Sequence, residues 1–511
     1  MHVVLYVDRF CGFGGVEWYA LDLTIGLLSL GHTVTCAAAV EGPIGAHFTN
    51  LGVPFHVAAS LEDLCGLIGT LRPGIVDCQV SRFQNMGYLA ATTVGVPVVL
   101  TQHHPSGYSS ANPQTPHEIV NCEFVNRLRP GARLVHPSFT PKRFEITIPR
   151  DVQRDTLSIP HDANVIGRVG RLTAAKAIED YLLAVADLPG TWGLIGGGGP
   201  AEAELRLLAS DLGCLNRTAF TGASPHHFQG NFFNAMDVIA YPTYDEGLCF
   251  GVVEPLLMSK PVVAYPTGGI PENVVDHQTG RLALDESGLV TAASHLLDDA
   301  EFGKACGAAG YARVTNKGYL DSTRNATEHL RCYSDAILSS PARKTTPAPI
   351  GEFATEVRPD FTNPELLAHP DPNVRWMAAY AIGATGDRSS LLELGPSLFS
   401  EDENLQILVA KALARLPEAD AAHVVSARIG SATAKVRKHL ILALGEVGGR
   451  QAMDTLVHLI DHDDWVCRCM VAVSLGRLGV KAVADNLDEL KYDHHAAVRS
   501  AAEQAQRKLR G

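Results

Sequence analysis

The chain has 511 residues, of which 46% are hydrophobic, and this length exceeds that of a single domain. Its formal net charge of −13 argues against a nucleic-acid partner, since phosphate binding needs a cationic face. The 11 cysteines form neither a CxxC pair nor a disulfide-like framework, and no run of residues is long and apolar enough for a membrane span. We therefore expect a cytoplasmic protein of three domains, with no transmembrane segment.

The first segment alternates strands and helices. His2 to Val7 is an apolar run that predicts a strand, and the loop after it contains Gly14 and Gly15. Apolar residues then recur at helical spacing from Val16 to Leu30, and Thr33 to Val40 predicts the next strand. This order is typical of a nucleotide-binding parallel sheet. The loop lacks the third glycine of a dinucleotide fingerprint, so NAD is not expected.

Polar residues follow two further predicted strands. Val96 to Thr101 is a buried strand that ends close to His103. Ligands of open α/β sheets lie beyond the carboxyl ends of the strands, so this histidine is directed at a cleft. A second run of strands starts near Val165, and Arg171 and Lys176 follow its first strand. These two cations supply fixed positive charge in the loop after that strand.

Two carboxylates stand eight positions apart in the following segment. Glu246 precedes Gly247, Leu248 and Cys249, and Glu254 falls in the helix that comes next. A glycine turn before a helix N-terminus suits a diphosphate. Because carboxylates repel phosphate, we expect Glu254 to accept from ribose hydroxyls and Glu246 from hydroxyls of a transferred sugar. No residue is arranged as an obvious nucleophile.

The stretch YPTYDEGLCFGVVEPLLMSKPVVAYPTGGIPENVVDHQTGRL, Tyr241 to Leu282, resembles the Glu-x7-Glu signature of retaining GT-B glycosyltransferases, most closely glycosyltransferase family 4. GFGGVE resembles the family's GGxE opening, PVVLTQH its PVVxTxH pattern and GRLTAAKA its GRLxxxKG element. The resemblance implies α/β architecture with two Rossmann-like domains, 1–155 on the acceptor side and 156–338 on the donor side, the last helix crossing back. Cys249 and Pro255 depart from the family's pattern.

The resemblance also implies a metal-independent reaction and a set of site residues. The donor would be a UDP- or GDP-linked sugar, with no cofactor, and the acceptor a glycan, lipid, small molecule or protein. The catalytic residues implied are His103, Glu246, Arg171 and Lys176. The donor-binding residues implied are Gly14, Gly15, Arg171, Lys176, Gly247, Leu248, Cys249 and Glu254.

A basic segment, Phe124 to Phe144, contains Arg127, Arg129, Arg133, Lys142 and Arg143. Two interpretations stay open for it. It contacts an anionic acceptor or a membrane surface, as in lipid-using members of the family, or it is a solvated loop. We favour the loop, because no amphipathic helix with exposed aromatic residues accompanies it.

The last part of the chain is repetitive. Residues 339–364 are rich in Pro, Ser and Thr and predict a linker. In residues 365–511, apolar positions recur at spacings of 31, 31, 30 and 32, at Val374, Leu405, Val436, Val466 and Val498. This period indicates stacked helix pairs and resembles HEAT-like repeats. We expect an all-α solenoid that binds a protein partner or the acceptor.

Two expectations follow for this solenoid. The linker should separate it from the sheets, so that residues 1 to about 340 stay folded when the repeats are removed. The acidic cluster Asp461 to Asp464 lies at a repeat turn, where acids cap the next helix, so we reject it as a metal site.

A different class of function stays open. The front half would then be a degenerate sugar-nucleotide-binding scaffold, and the solenoid would be the working part. The presence of His103, Arg171, Lys176, Glu246 and Glu254 favours the enzyme, because buried charges cost stability when they serve no function.

Overall fold

The computed structural model describes residues 1–7, 14–80, 86–104, 117–222, 229–340, 362–369, 372–385, 388–416 and 419–510. Most of the predicted linker, residues 341–361, lies outside the described residues. Among the described helices, none combines the length and the apolar character that a membrane crossing requires.

The strands form two parallel sheets within the described ranges. In chain order they are β1 His2–Val7, β2 Thr33–Ala38, β3 Phe55–Val57, β4 Ile75–Val80, β5 Val98–Gln102, β6 Glu118–Val120, β7 Arg133–Leu134, β8 Val165–Val169, β9 Trp192–Gly196, β10 Thr218–Phe220, β11 Val238–Tyr241, β12 Val262–Ala264 and β13 Arg281–Leu282. The first sheet has the order β3-β2-β1-β4-β5-β6-β7 and the second β10-β9-β8-β11-β12-β13. The α/β class predicted for this region is confirmed.

Helices connect the strands. They are α1 Gly15–Ser29, α2 Gly45–Asn50, α3 Leu61–Leu71, α4 Met86–Val94, α5 Glu123–Leu128, α6 Arg150–Thr156, α7 Ile178–Asp187, α8 Glu202–Asp211, α9 Gln229–Ala235, α10 Phe250–Leu256, α11 Glu286–Asp298, α12 Ala300–Asn316 and α13 Ser322–Ser339. The central strands are apolar on both faces because helices cover both sides of a parallel sheet. In β1, Val3, Val4 and Leu5 are fully buried.

The long helix α13 lies against the first sheet rather than the second. The hydroxyl of Tyr333 donates to the buried Asp77 of β4 over 2.5 Å. The hydroxyl of Tyr19 on α1 lies 3.1 Å from His329 Nε2 on the same face of α13. The helix thus crosses from the second sheet back to the first, and the boundary at residues 155 and 156 stays a prediction.

The C-terminal region is helical. Its helices are α14 Pro372–Thr385, α15 Arg388–Leu394, α16 Glu403–Leu413, α17 Ala419–Ile429, α18 Ala434–Val447, α19 Gly449–His458, α20 Trp465–Leu478 and α21 Ala496–Arg510. Three arginines at matching repeat positions, Arg375, Arg468 and Arg499, each donate to the carbonyl oxygen six residues earlier, over 2.8, 2.7 and 2.6 Å. These three arginines therefore link the starts of α14, α20 and α21 to the residues just before them.

The acidic repeat turn caps a helix, as its position predicted. The side chain of Asp464 accepts from the backbone N–H of Val466 at the start of α20. Cys467 and Cys469, one turn further on, are fully buried. Asp464 therefore caps the start of α20, as the position of this turn predicted.

The expected separation of the solenoid from the sheets is wrong for the described residues. Lys411 on α16 pairs with the buried Glu179 of α7, and Arg477 on α20 pairs with Asp211 of α8 over 2.8 Å. The indole N–H of Trp465 donates to Ser287 Oγ over 2.7 Å. Buried ion pairs and a shared apolar core both account for the contact. Acidic side chains on α7 and α8 are buried, and the repeat helices supply their counter-charges.

Candidate active site

His103 lies immediately after β5, at the carboxyl end of the first sheet. Asn121 Nδ2 lies 3.1 Å from its Nδ1, and Gln79 Oε1 lies 2.9 Å from its Nε2. The amide of Asn121 is a donor, so Nδ1 accepts and Nε2 carries the proton that Gln79 receives. Burial, and then the neighbouring His329, lowers the pKa of His103 to about 3. The imidazole is therefore neutral, with both ring nitrogens engaged.

The loop after β11 crosses to the first sheet at Gly247. A Cβ added to Gly247 would lie 2.1 Å from the carbonyl oxygen of His103. No flexible group could move aside there, so the close approach requires glycine. In the same loop, Asp245 Oδ1 lies 2.9 Å from His104 Nε2. The Glu246–Gly247 turn of the second sheet and the end of β5 in the first are thus in direct contact.

Glu246 and Lys176 are brought together. Lys176 follows β8 and donates its ammonium N–H to Glu246 Oε1, and it lies 3.4 Å from the carbonyl oxygen of Asp245. Both side chains are mostly buried, with 14% and 12% exposed. Arg171, by contrast, is exposed. The loop after β8 thus carries a mostly buried lysine that is paired with Glu246 and an exposed arginine.

Two glycine-containing loops support Arg171. The N–H of Leu172 donates to the carbonyl oxygen of Gly198 over 3.0 Å, and that of Gly170 to Gly196 over 2.8 Å. Gly197 has φ of +121°, a conformation that other residues rarely adopt. The WGLIGGGGP stretch, residues 192–200, therefore holds the backbone on either side of Arg171.

Gly14 and Gly15 lie at the start of α1 and face the second sheet. A Cβ on Gly15 would lie 3.3 Å from the ring of Phe250, the first residue of α10. The carboxylate of Glu17 folds back onto Gly14. Burial raises the pKa of Glu17, and Arg171 only partly opposes that rise. Gly15 is thus adjacent to the start of α10.

Cys249, the N-terminal cap of α10, has φ of +68°. This left-handed conformation favours glycine. Its thiol is buried, and burial and the nearby Glu246 raise its pKa well above the ordinary value. The departure from the family's pattern at Cys249 therefore falls on a strained backbone position, whereas Leu248 beside it is an ordinary buried residue.

Glu254 on α10 is 4% exposed and is paired with Arg143. Arg143 also contacts Asp22 of α1 over 3.0 Å and Gln229 over 3.0 Å, and its guanidinium lies 4.2 Å from the ring centre of Trp18. Burial raises the pKa of Glu254, and Arg143 opposes that rise. Arg143 thus links α1 to Glu254, the predicted acceptor for ribose hydroxyls.

The favoured interpretation of the basic segment as a solvated loop is wrong for Arg143. Its side chain is 6% exposed, whereas Arg127, Arg133 and Lys142 are exposed. Sequence reasoning missed its role because its partners lie 121 and 111 residues away. The one signal available was that Arg143 sits beside aromatic residues, which suits a stacked guanidinium.

Comparison with known proteins gives the same architecture. Residues 149–313 match the family model of group 1 glycosyl transferases. Residues 363–433 and 422–507 match the model of HEAT repeats. Two parts of the chain thus match known families, the group 1 glycosyl transferases and the HEAT repeats. The resemblance drawn from the Glu-x7-Glu stretch and from the helical repeats is therefore confirmed.

Curated relatives match part of the chain. The chain is 30% identical over 284 residues to a D-inositol 3-phosphate glycosyltransferase of Mycolicibacterium smegmatis, covering 48% of this chain and 64% of the relative. It is 26% identical over 405 residues to the enzyme of the same name in Mycobacterium avium, covering 68% and 91%. The chain thus spans less than two thirds of the M. smegmatis relative's length.

Solved structures share the fold at low identity. Anabaena Alr3699/HepE in complex with UDP-glucose superposes with a TM-score of 0.58 at 18% identity, covering 65% of this chain and 99% of that one. Sucrose-phosphate synthase from Thermosynechococcus elongatus gives a TM-score of 0.53 at 19% identity, covering 66% and 100%. These likenesses establish the GT-B fold of the two-sheet region.

Proposed function

We propose that the chain transfers a sugar from a nucleoside-diphosphate sugar to an acceptor, with retention of anomeric configuration, as a family 4-like glycosyltransferase. The observation that carries the proposal is the contact between the two sheets. The Glu246–Gly247 turn meets the backbone of His103, and Lys176 pairs with Glu246 at the same place. A donor held in this cleft would meet a cation and a carboxylate at the same place.

Each predicted residue has a role that its surroundings allow. Arg171 and Lys176 would neutralise the diphosphate as it leaves, and Glu246 would accept from hydroxyls of the transferred sugar. Both ring nitrogens of His103 are in hydrogen bonds. His103 would therefore hold the end of β5 in position rather than transfer a proton. Glu254 would accept from ribose hydroxyls, in place of one of its contacts with Arg143.

The nucleotide of the donor is proposed to be UDP. A fold neighbour holds UDP-glucose, and this chain offers carboxylates for hydroxyls together with cations for phosphates. The acceptor remains open among glycans, lipids, small molecules and proteins. No residue of the cleft is proposed as a metal ligand.

One observation favours a second candidate, a nucleotide-sugar-binding scaffold without transferase activity. Both predicted carboxylates are already paired with cations of the chain, Glu246 with Lys176 and Glu254 with Arg143. In a scaffold these pairs would persist in the bound state. In a transferase they would exchange partners when the donor enters.

A screen of nucleotide sugars on the full chain separates the two. We expect a UDP-sugar, rather than a GDP-sugar, both to raise the melting temperature and to be hydrolysed slowly without acceptor. Stabilisation without hydrolysis or transfer would favour the scaffold. Absence of both responses across the whole panel would contradict nucleotide-sugar binding and with it the proposed function.

A further inference from the structure

Helix α18 of the repeat region carries two lysines that touch Tyr244, two positions before Glu246. Lys438 Nζ donates to the hydroxyl of Tyr244 over 2.8 Å. Lys435 Nζ lies 4.3 Å from the centre of the same ring, a cation–π distance. Tyr244 is therefore held on two sides by the HEAT repeats, although it belongs to the loop of the donor domain that bears Glu246.

Lys438 is buried in a network of acids and hydroxyls. Its side chain is 2% exposed, it contacts Asp180 over 2.5 Å, and it also pairs with Glu286. The hydroxyls of Tyr244 and Tyr265 donate to Asp180 Oδ2 over 2.6 and 2.9 Å. Burial opposes the charge of Lys438, but Asp180 and Glu286 outweigh it and hold the pKa of the lysine above its ordinary value. The network is therefore stable with Lys438 charged.

The same short loop connects Tyr244 to the predicted site. The N–H of Tyr244 donates to the carbonyl oxygen of Ala175 over 3.1 Å, next to Lys176. Lys176 in turn donates to Glu246 and lies 3.4 Å from the carbonyl oxygen of Asp245. Displacement of the Tyr244 ring would therefore move Glu246 and Lys176 together.

We propose that Lys438 is a positioning residue of the donor site and that α18 is an intramolecular brace for the loop of residues 243–247. This inference rests on the proposed function, because it assigns the repeats a role in the same site. The solenoid face that carries Lys411, Lys438 and Arg477 takes the chain's own donor domain as its partner. Its contribution to the reaction is to fix the position of the carboxylate of Glu246.

The test compares three variants of the full chain. Lys438→Met is expected to lower kcat for donor hydrolysis by about tenfold while KM stays nearly constant, since small misplacements of a catalytic group are costly. Lys438→Arg keeps the charge and should recover most of the loss. Tyr244→Phe removes only the hydroxyl, leaves the pair of Lys438 with Asp180 intact, and should lower kcat in the same direction.

A second readout does not depend on activity. Hydrogen exchange of the backbone amides in residues 243–247 should become about tenfold faster in Lys438→Met, because the loop loses its brace. It should stay at the level of the unmodified chain in Lys438→Arg. This measurement also shows whether the variant has kept the rest of its fold, since exchange elsewhere in the two sheets serves as the reference.

Lys508→Met is the matched control. It removes a lysine from α21 that pairs with Asp211 of α8, in the same interface but away from the loop. It should lower the melting temperature and leave both kcat and loop exchange unchanged. The inference is overturned if Lys438→Met affects kcat and loop exchange no more than Lys508→Met does. If the unmodified chain uses no nucleotide sugar, the proposed function fails, and loop exchange alone decides whether the brace exists.

Discussion

Glu254 and Asp22 both pair with Arg143. Substitutions at these two acids can therefore distinguish a structural role from a role in binding. Each contacts the same guanidinium, but only Glu254 lies on α10, beside the predicted nucleotide. Glu254→Gln and Asp22→Asn should each lower the free energy of unfolding by about 1–3 kcal/mol, since a buried charge loses one partner. Denaturant unfolding of the full chain measures this loss.

Donor affinity should distinguish the same two variants. Glu254→Gln weakens hydrogen bonds to ribose hydroxyls, and each charge-assisted bond is worth about 1.5–3 kcal/mol, so Kd should rise at least about tenfold. Asp22→Asn should leave Kd nearly unchanged. Calorimetric titration is the measurement. Equal Kd values in both variants would remove Glu254 from the ribose site.

Buried neutral histidines make stability fall in acid. The pKa of His103 is lowered to about 3, and those of His136 and His329 to about 4, in each case chiefly by burial. The unfolded chain binds these protons below its ordinary pKa of 6.5, whereas the folded chain does not. Each group therefore contributes stability at neutral pH that is lost as pH falls below 6.5, at up to about 1.4 kcal/mol per pH unit.

The direction of this pH dependence can be tested with one variant. His103→Gln should make the free energy of unfolding less dependent on pH between about 6.5 and 4. The slope should fall by up to about 1.4 kcal/mol per pH unit, the contribution of one proton. Unfolding curves at several pH values measure the slope for both proteins. A steeper dependence in His103→Gln than in the unmodified chain would contradict the assignment of His103 as buried and neutral.

The turn at Gly247 is the element that connects the two sheets at the site. Gly247→Ala places a methyl group against the backbone of His103, so the contact must open. We expect a lower melting temperature and a loss of donor hydrolysis. Gly66→Ala, in the middle of α3 with open space around it, is the control and should be neutral or stabilising by about 0.4–1 kcal/mol. Equal behaviour of the two variants would mean that the turn adapts without cost.

Secondary-structure elements were predictable where the local sequence pattern determines them. Strand β1 has the predicted bounds, His2–Val7, because the apolar run in the sequence ends at Val7. Strand β2 ends at Ala38, two residues before the predicted end, because pairing with the neighbouring strand stops there. The partners of Arg143 and Lys438 were not predictable, since they lie 111 and 258 residues away and no local pattern encodes them.

Because the repeats pair with acids on α7 and α8, we no longer expect the chain to stay unaffected when the repeats are removed. A variant that ends after Ser340 would expose the acidic side chains of Glu179, Asp180 and Asp211 without their lysine and arginine partners. The apolar core that runs from Tyr181 to the repeat helices would be exposed as well. We expect this variant to unfold at a lower temperature than the full chain, or to aggregate. Thermal unfolding and size-exclusion chromatography measure both outcomes, and an unchanged melting temperature would show that the docking is dispensable.

The account as a whole is tested most directly by comparing the full chain with Glu246→Gln, using the nucleotide sugar that the screen selects. Glu246 lies where the second sheet meets His103, and it is assigned to the sugar rather than to the phosphates. The account predicts that binding of the free nucleoside diphosphate stays within about twofold, while sugar transfer or hydrolysis falls by about tenfold or more. Unchanged turnover, or an equal collapse of diphosphate binding, would contradict it.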